Sequence, residues 1–183
     1  MGVSFNTKEY YNKVIKPKEC LYSFRHIMNT WSGIYKRDFL KKNNIRHNET
    51  PGASFQDNGF FFQTFCLAER VWFLDKPFYM NRRDNINSSV HAKDKVYAFT
   101  KEYKFIKDFL IINKLYDTFN SVYWLKKFHN YMFNLERISE EYKIEFLEFF
   151  ADEFGDAVER KEIDLKEFSE IEKNILINII YGF

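Results

Sequence analysis

The 106 residues after Pro77 contain no proline. Nothing in that stretch fixes φ or removes a backbone donor, so long helices are unobstructed there. The apolar spacing agrees. Phe99, Tyr103, Ile106 and Leu110 keep one helical face; Val122, Leu125, Phe128, Met132 and Leu135 keep another. Tyr142, Phe146, Phe149 and Phe150 follow Ser139, an N-cap residue with Glu140 and Glu141 in the first turn. Asp164 and Glu167 have capping-box spacing and are expected to open a last helix carrying Phe168, Ile171, Ile175 and Ile179. Stripes of this period are core far more often than cofactor boxes.

The first half is punctuated instead. Pro17, Pro51 and Pro77 all lie there. Residues 7–15 and 19–28 are expected as short helices, and 34–43 as an amphipathic helix with Ile34, Tyr35, Phe39 and Leu40 on its apolar side. "HNETPGAS" forms a loop. A helix is expected from about Asn58 to Glu69. "RVWFLD" supplies a short strand, Val71 to Leu74, and "FYMNR" a second one built around Phe78–Met80. With only 6 Gly and 3 Pro, a turn-rich β-sandwich is excluded. The fold class is therefore α+β and predominantly helical, with residues 1–95 as an irregular α/β part and 96–183 as a helical extension.

Net charge is +2, too small to imply a nucleic-acid partner. Lys36, Arg37, Lys41, Lys42 and Arg46 form a local basic run, open to two readings: a solvated helix face or an anion site. Cys20 and Cys66 have no metal-ligand spacing and no CxxC, and no leader precedes them, so a reduced pair in the cytoplasm is expected. No apolar run reaches the ~20 residues that cross a bilayer.

Most chemistry-bearing motifs are missing. His26, His47, His91 and His129 are scattered, and no D-x-D or HExxH occurs. There is no GxGxxG, no Walker A and no GxSxG. Two polar stretches remain. In "SFQDNGFFF", Asp57 stands just before the expected helix, where it can serve as an N-cap. The same geometry suits a general base exposed on one side and kept ionised by backbone donors. In "RRDNINSSVH", Arg82 and Arg83 have the planar donors that match a diphosphate, while Ser88, Ser89 and His91 can add hydrogen bonds or one metal ligand. A solvated loop is the other reading.

Taken in order, these pieces resemble the distal half of family 2 glycosyltransferases, enzymes of the GT-A fold that build bacterial capsule, lipo-oligosaccharide and cell-wall polymers. The resemblance is carried by Tyr35-Lys36-Arg37, Gln56-Asp57 opening a helix, Ala68-Glu69-Arg70, Leu74-Asp75-Lys76-Pro77, Phe78-Tyr79, Arg82-Arg83 and Ser88-Ser89. It covers roughly residues 29–95. It implies that Asp57 is the catalytic base, that Gln56 stands where an acid is usual, and that Arg82, Arg83, Ser88, Ser89 and, weakly, His91 as a metal ligand belong to a loop over the nucleotide diphosphate.

The resemblance also implies what to look for outside these residues. The nucleotide-binding half with its D-x-D, and with it the Mn or Mg ion, is absent from this chain. The partners implied are a nucleotide-sugar donor and a glycan or glycolipid acceptor, with no nucleic acid. The location implied is cytoplasmic, at the inner face of the membrane. The chain alone is expected to transfer no sugar. Its β element would be a remnant of a larger sheet, with an edge that pairs with a second copy or is covered by the N-terminal residues. The competing class is a non-catalytic helical interaction module, whose last segment, "NILINIIYGF", is apolar enough to dock on a partner or a membrane surface.

Overall fold

The computed structural model describes residues 9–26, 28–51, 55–80, 82, 84 and 95–182. Six α-helices dominate: α1 (Arg37–Lys42), α2 (Asp57–Leu67), α3 (Ala98–Ile112), α4 (Tyr116–Arg137), α5 (Glu140–Glu159) and α6 (Glu170–Tyr181). The strands are β1 (Val14–Ile15) and β2 (Val71–Trp72), paired antiparallel with Val14 opposite Trp72 and Ile15 opposite Val71. The fold is thus α+β and predominantly helical.

The proline-free half folds as its spacing predicts. Phe99, Tyr103, Ile106 and Leu110 are all buried, as are Val122, Leu125, Phe128, Phe146 and Phe150. α4 is the spine. It packs on α3, on α5 and on the 3-10 turns at 21–25 and 165–167. α1, α3 and α5 end where a residue turns left-handed: Asn44, Lys114 and Lys161 have φ of 50°, 57° and 57°. Each lets the next N–H reach back, as Leu115 N–H does to the Leu110 carbonyl at 2.8 Å.

One capping expectation fails instructively. Asp164 caps only a short 3-10 turn, accepting from the Lys166 N–H. The capping box that opens α6 is Ser169 with Glu172, five residues later in register. Both pairs have the same spacing, and Phe168, buried between them, fixes which one starts the helix. On α6, Leu176 and Ile179 are buried, while Ile171 is exposed. Its apolar face therefore packs on α5.

The first half departs further. In place of two short helices it has β1 and 3-10 turns at Pro17–Glu19 and Leu21–Arg25. Asn12 at φ 58° and Pro17, which lacks an N–H, leave no room for a continuous helix. α1 is six residues long and buries none of them. The strand after α2 is two residues, and its partner is Val14–Ile15 rather than Phe78–Met80. Phe78, Tyr79 and Met80 form no strand and are exposed. Pro77 starts that segment without a donor, and the N-terminal residues have already taken the ladder: Asn12 N–H donates to the Phe73 carbonyl at 2.8 Å.

The hydrophobic core runs across residue 95. Phe24, Phe61, Phe62 and Phe65 join Tyr103, Phe119 and Tyr123 in one cluster. Rings meet edge to face, such as Phe24 on Phe61 at 5.8 Å and Phe62 on Tyr123 at 6.4 Å, the arrangement aromatic quadrupoles favour.

Candidate functional site

α2 is buried almost all round: Asn58 to Cys66 are buried without a break. Such a helix presents only its ends, and Asp57 is at the N-terminal one. The N-cap position belongs to Gln56, and Asp57 is the first helical residue. The expectation that Asp57 is the N-cap is therefore corrected. Gln56 makes no capping bond either; its Nε2 donates to Thr50 Oγ1 at 2.9 Å and to the Thr50 carbonyl at 3.2 Å.

The first turn is capped from another helix. Glu102 on α3 is 1% exposed. Its Oε1 accepts the Gly59 N–H at 2.8 Å, and its Oε2 accepts from Asn48 Nδ2 at 3.0 Å. A carboxylate at this end of a helix meets orphan donors and the positive end of the dipole. Gly59 makes the approach possible. A Cβ there would lie 2.3 Å from Glu102 Oε1 and 2.8 Å from the Phe105 ring. Beside it Asn58 donates to the Phe55 carbonyl at 2.7 Å, and Asn130 on α4 donates to Asn58 Oδ1 at 2.7 Å and to the Tyr103 hydroxyl at 2.9 Å. α3 and α4 thus grip the turn that carries Asp57.

The chain reaches this turn through a strained residue. Phe55 has φ 63°, a left-handed conformation that costs a non-glycine residue roughly 1–2 kcal/mol. Its ring stacks on Phe99 with centroids 4.0 Å apart, and the Arg137 guanidinium sits 5.2 Å above it. Strain of this kind persists where surrounding contacts over-determine it.

The electrostatics follow from burial. Asp57 is half-buried, and burial pushes its carboxyl above the usual aspartate range, against the pull of its own N–H, the His47 charge and the Asn58 N–H. The expectation that backbone donors dominate is thereby corrected: burial outweighs them. Burial raises Glu102 as well, opposed by Asn48 and the Gly59 N–H, while the neighbouring Asp57 charge raises it further. Two carboxyls therefore share one helix end, both with increased proton affinity. His47 completes the rim, its ring lying flat on Phe60 at 4.6 Å and its Nδ1 3.3 Å from the Gln56 carbonyl oxygen.

Arg82 is exposed and pairs with Asp84 at 2.7 Å. No contact recorded among the described residues joins it to Asp57. Arg83, Ser88, Ser89 and His91 lie outside the described residues. The sequence reading missed Glu102, Asn48, Asn130 and His47. Glu102 left a trace: it is an acid on the apolar stripe between Phe99 and Ile106. Asn48, Asn130 and His47 reach the site only through the tertiary fold.

The described residues do not fit a divalent ion, since no three His, Cys, Asp or Glu side chains converge to hold one. Cys20 and Cys66 are both free thiols, and burial pushes the Cys66 thiol up. A shallow groove of about 370 Å³ between α5 and α6 is lined by Glu148, Asp152, Asp156 and Glu159; it is acidic and brings no nucleophile together with a base. No helix among the described residues is long and apolar enough to cross a membrane. Comparison with protein-family models, with curated proteins and with solved structures gives no match.

Proposed function

We propose that this chain is the acceptor-side part of an inverting glycosyltransferase, with Asp57 as the base. The observation that supports this reading is the first turn of α2. Asp57 is half-exposed there, fixed by a turn that Glu102, Asn58 and Asn130 hold from below, and its proton affinity is raised by burial. A base works best when its pKa approaches the working pH. Asp57 would take the proton of an acceptor hydroxyl as that oxygen attacks the anomeric carbon of a nucleotide sugar. The new C–O bond forms on one face while the bond to the diphosphate breaks on the other, so the centre inverts. The electron pair leaves with the diphosphate.

The coding sequence upstream of Val3 tests the assignment. A nucleotide-binding βαβ pattern with a D-x-D is the expected finding, and a stop codon or an unrelated domain overturns the reading. In the enzyme so completed, Asp57→Asn should abolish transfer while leaving helix content unchanged. The isolated chain should turn over no nucleotide sugar.

A second reading, a non-catalytic helical module, is favoured by the Arg82–Asp84 pair. That arginine is engaged locally, by an acid two residues away. Full transferase activity in an Asp57→Asn enzyme would decide for the module.

A further inference from the structure

We propose that the surface formed by residues 31–42 and 72–80 docks on an anionic lipid surface. The chain's charge is strongly polarised. After residue 137 there are 13 acids and 5 Lys and Arg, a net of −8, whereas residues 1–137 carry 23 bases and 13 acids, a net of +10. An overall charge of +2 hides this division, and asymmetry of this kind points to an anionic partner for one end.

Exposed apolar side chains occur elsewhere too, Ile144 and Ile171 among them, but in residues 31–42 and 72–80 they adjoin exposed bases. Ile34 is 104% exposed and Met80 98%, and Phe78, Trp72, Trp31 and Tyr79 are exposed as well. Trp31 and Tyr79 stack with centroids 4.8 Å apart, which ties the two segments together. Trp72 stands opposite exposed Val14 on the same side of the strand pair. From Ile34 the chain runs straight into α1, whose Lys36, Arg37, Lys41 and Lys42 are exposed. Among the described residues none of these four forms an ion pair.

This combination has a specific chemistry. Trp and Tyr favour the headgroup level, Ile, Phe and Met enter the acyl boundary, and Lys and Arg reach the phosphates. Nucleic acid would use the charge and the aromatic faces, but Trp31 and Tyr79 already stack on each other, and fully exposed Ile34 and Met80 would find nothing to bury against. α6 is the weaker lipid candidate: Leu176 and Ile179 are buried, and the acids of the −8 segment surround it. This surface is independent of Asp57 and of sugar transfer, and failure of either leaves the other standing.

The test is sedimentation of the whole chain with vesicles. It should pellet with vesicles of equal parts phosphatidylcholine and phosphatidylglycerol, remain in solution with phosphatidylcholine alone, and release at high salt. Brominated acyl chains should quench Trp31 and Trp72 but not Trp124, which is buried in the helical core. Reversing Lys36, Arg37, Lys41 and Lys42 to Glu should lower partitioning at least about tenfold with an unchanged circular dichroism spectrum; Ile34→Asp should remove the quenching. Ile171→Asp on α6, also exposed, should change neither. Binding indifferent to phosphatidylglycerol, or lost in Ile171→Asp but kept in the charge-reversed variant, overturns the proposal. So does failure to bind vesicles by a chain that instead dimerises or binds a duplex oligonucleotide.

Discussion

Two of the places where the molecule buries charge satisfy it differently. In the middle of α4, Lys127 has a side chain 4% exposed, and it pairs with Glu153 on α5, which also accepts from the Tyr131 hydroxyl at 2.8 Å. The ammonium lies 4.9 Å from the Trp124 ring centroid and 5.4 Å from that of Tyr131. Every partner named is a side chain, and the ammonium is shut off from solvent. At the first turn of α2, Glu102 is as deeply buried but pairs with no cation among the described residues. Neutral donors hold it, and its neighbour is another carboxyl, Asp57, which half faces solvent. Opposite charges joined in the core clamp two helices. A carboxyl held by dipoles beside a second carboxyl leaves proton affinity at the surface, the property a base requires.

The sharpest break of this comparison is Glu153→Gln. It strands a deeply buried ammonium, and removing one partner of such a pair costs about 3–5 kcal/mol. Lys127→Met leaves Glu153, which is 30% exposed and can reach water, so its cost should be clearly smaller. Urea midpoints of the two variants measure the difference. Equal losses would mean that the pair is not held by the burial of Lys127.

Lys126, the preceding residue, supplies the control. It is buried, with no carboxylate partner among the described residues; its Nζ donates to the His26 carbonyl at 3.0 Å, and burial, then the nearby Arg25 charge, lowers it to about 8. Because its folded value lies below the unfolded one, the unfolded chain binds more protons between them. Stability should therefore rise as pH goes from about 8 toward 10.5. Lys126→Met should remove that rise and stabilise the protein near pH 7 by ~1–3 kcal/mol. Urea titrations at pH 7 and 9 check both the sign and the size.

These sites also show what the sequence makes legible. The helical half follows from local spacing, because Phe99, Tyr103, Ile106 and Leu110 need only a period and an absence of proline. The position of Asp57 at a helix start was legible for the same reason, to within one residue. What places Glu102 under that helix is a contact across 43 residues, and no local pattern encodes it. The strand partner was lost in the same way. Val14–Ile15 and Phe78–Met80 are both short apolar runs, and only the closure of the N-terminal segment onto Phe73 selects between them.

Gly59→Ala tests that closeness directly. In a free helix alanine gains up to about 1 kcal/mol over glycine. Here the added methyl meets Glu102 Oε1 and the Phe105 ring, both well inside contact distance. The net effect should be a loss of about 1–3 kcal/mol. Gly59→Ala in a Glu102→Ala background should lose less, since one of the two obstacles is gone. A gain in the single variant would mean that the helix end is not held as tightly as its hydrogen bonds imply.

The smallest effect is the most informative about chemistry. Glu102 is raised above the ordinary glutamate range in the folded chain, so the folded state binds its proton more tightly than the unfolded state does. Stability should fall as pH rises from about 4.3 through the raised value. Asp57 contributes in the same direction from about 3.9. Glu102→Gln removes the larger buried carboxyl and should flatten the profile between pH 4 and 7. It should cost only about 1 kcal/mol at pH 4, because the amide oxygen still accepts the Gly59 N–H. The slope left behind belongs to Asp57, and adding Asp57→Asn should remove it. Chemical shifts of the two carboxyl carbons follow the same titration residue by residue. If neither moves above the ordinary range, the first turn of α2 is a structural clamp like the Lys127–Glu153 pair, and the distinction between the two regions collapses.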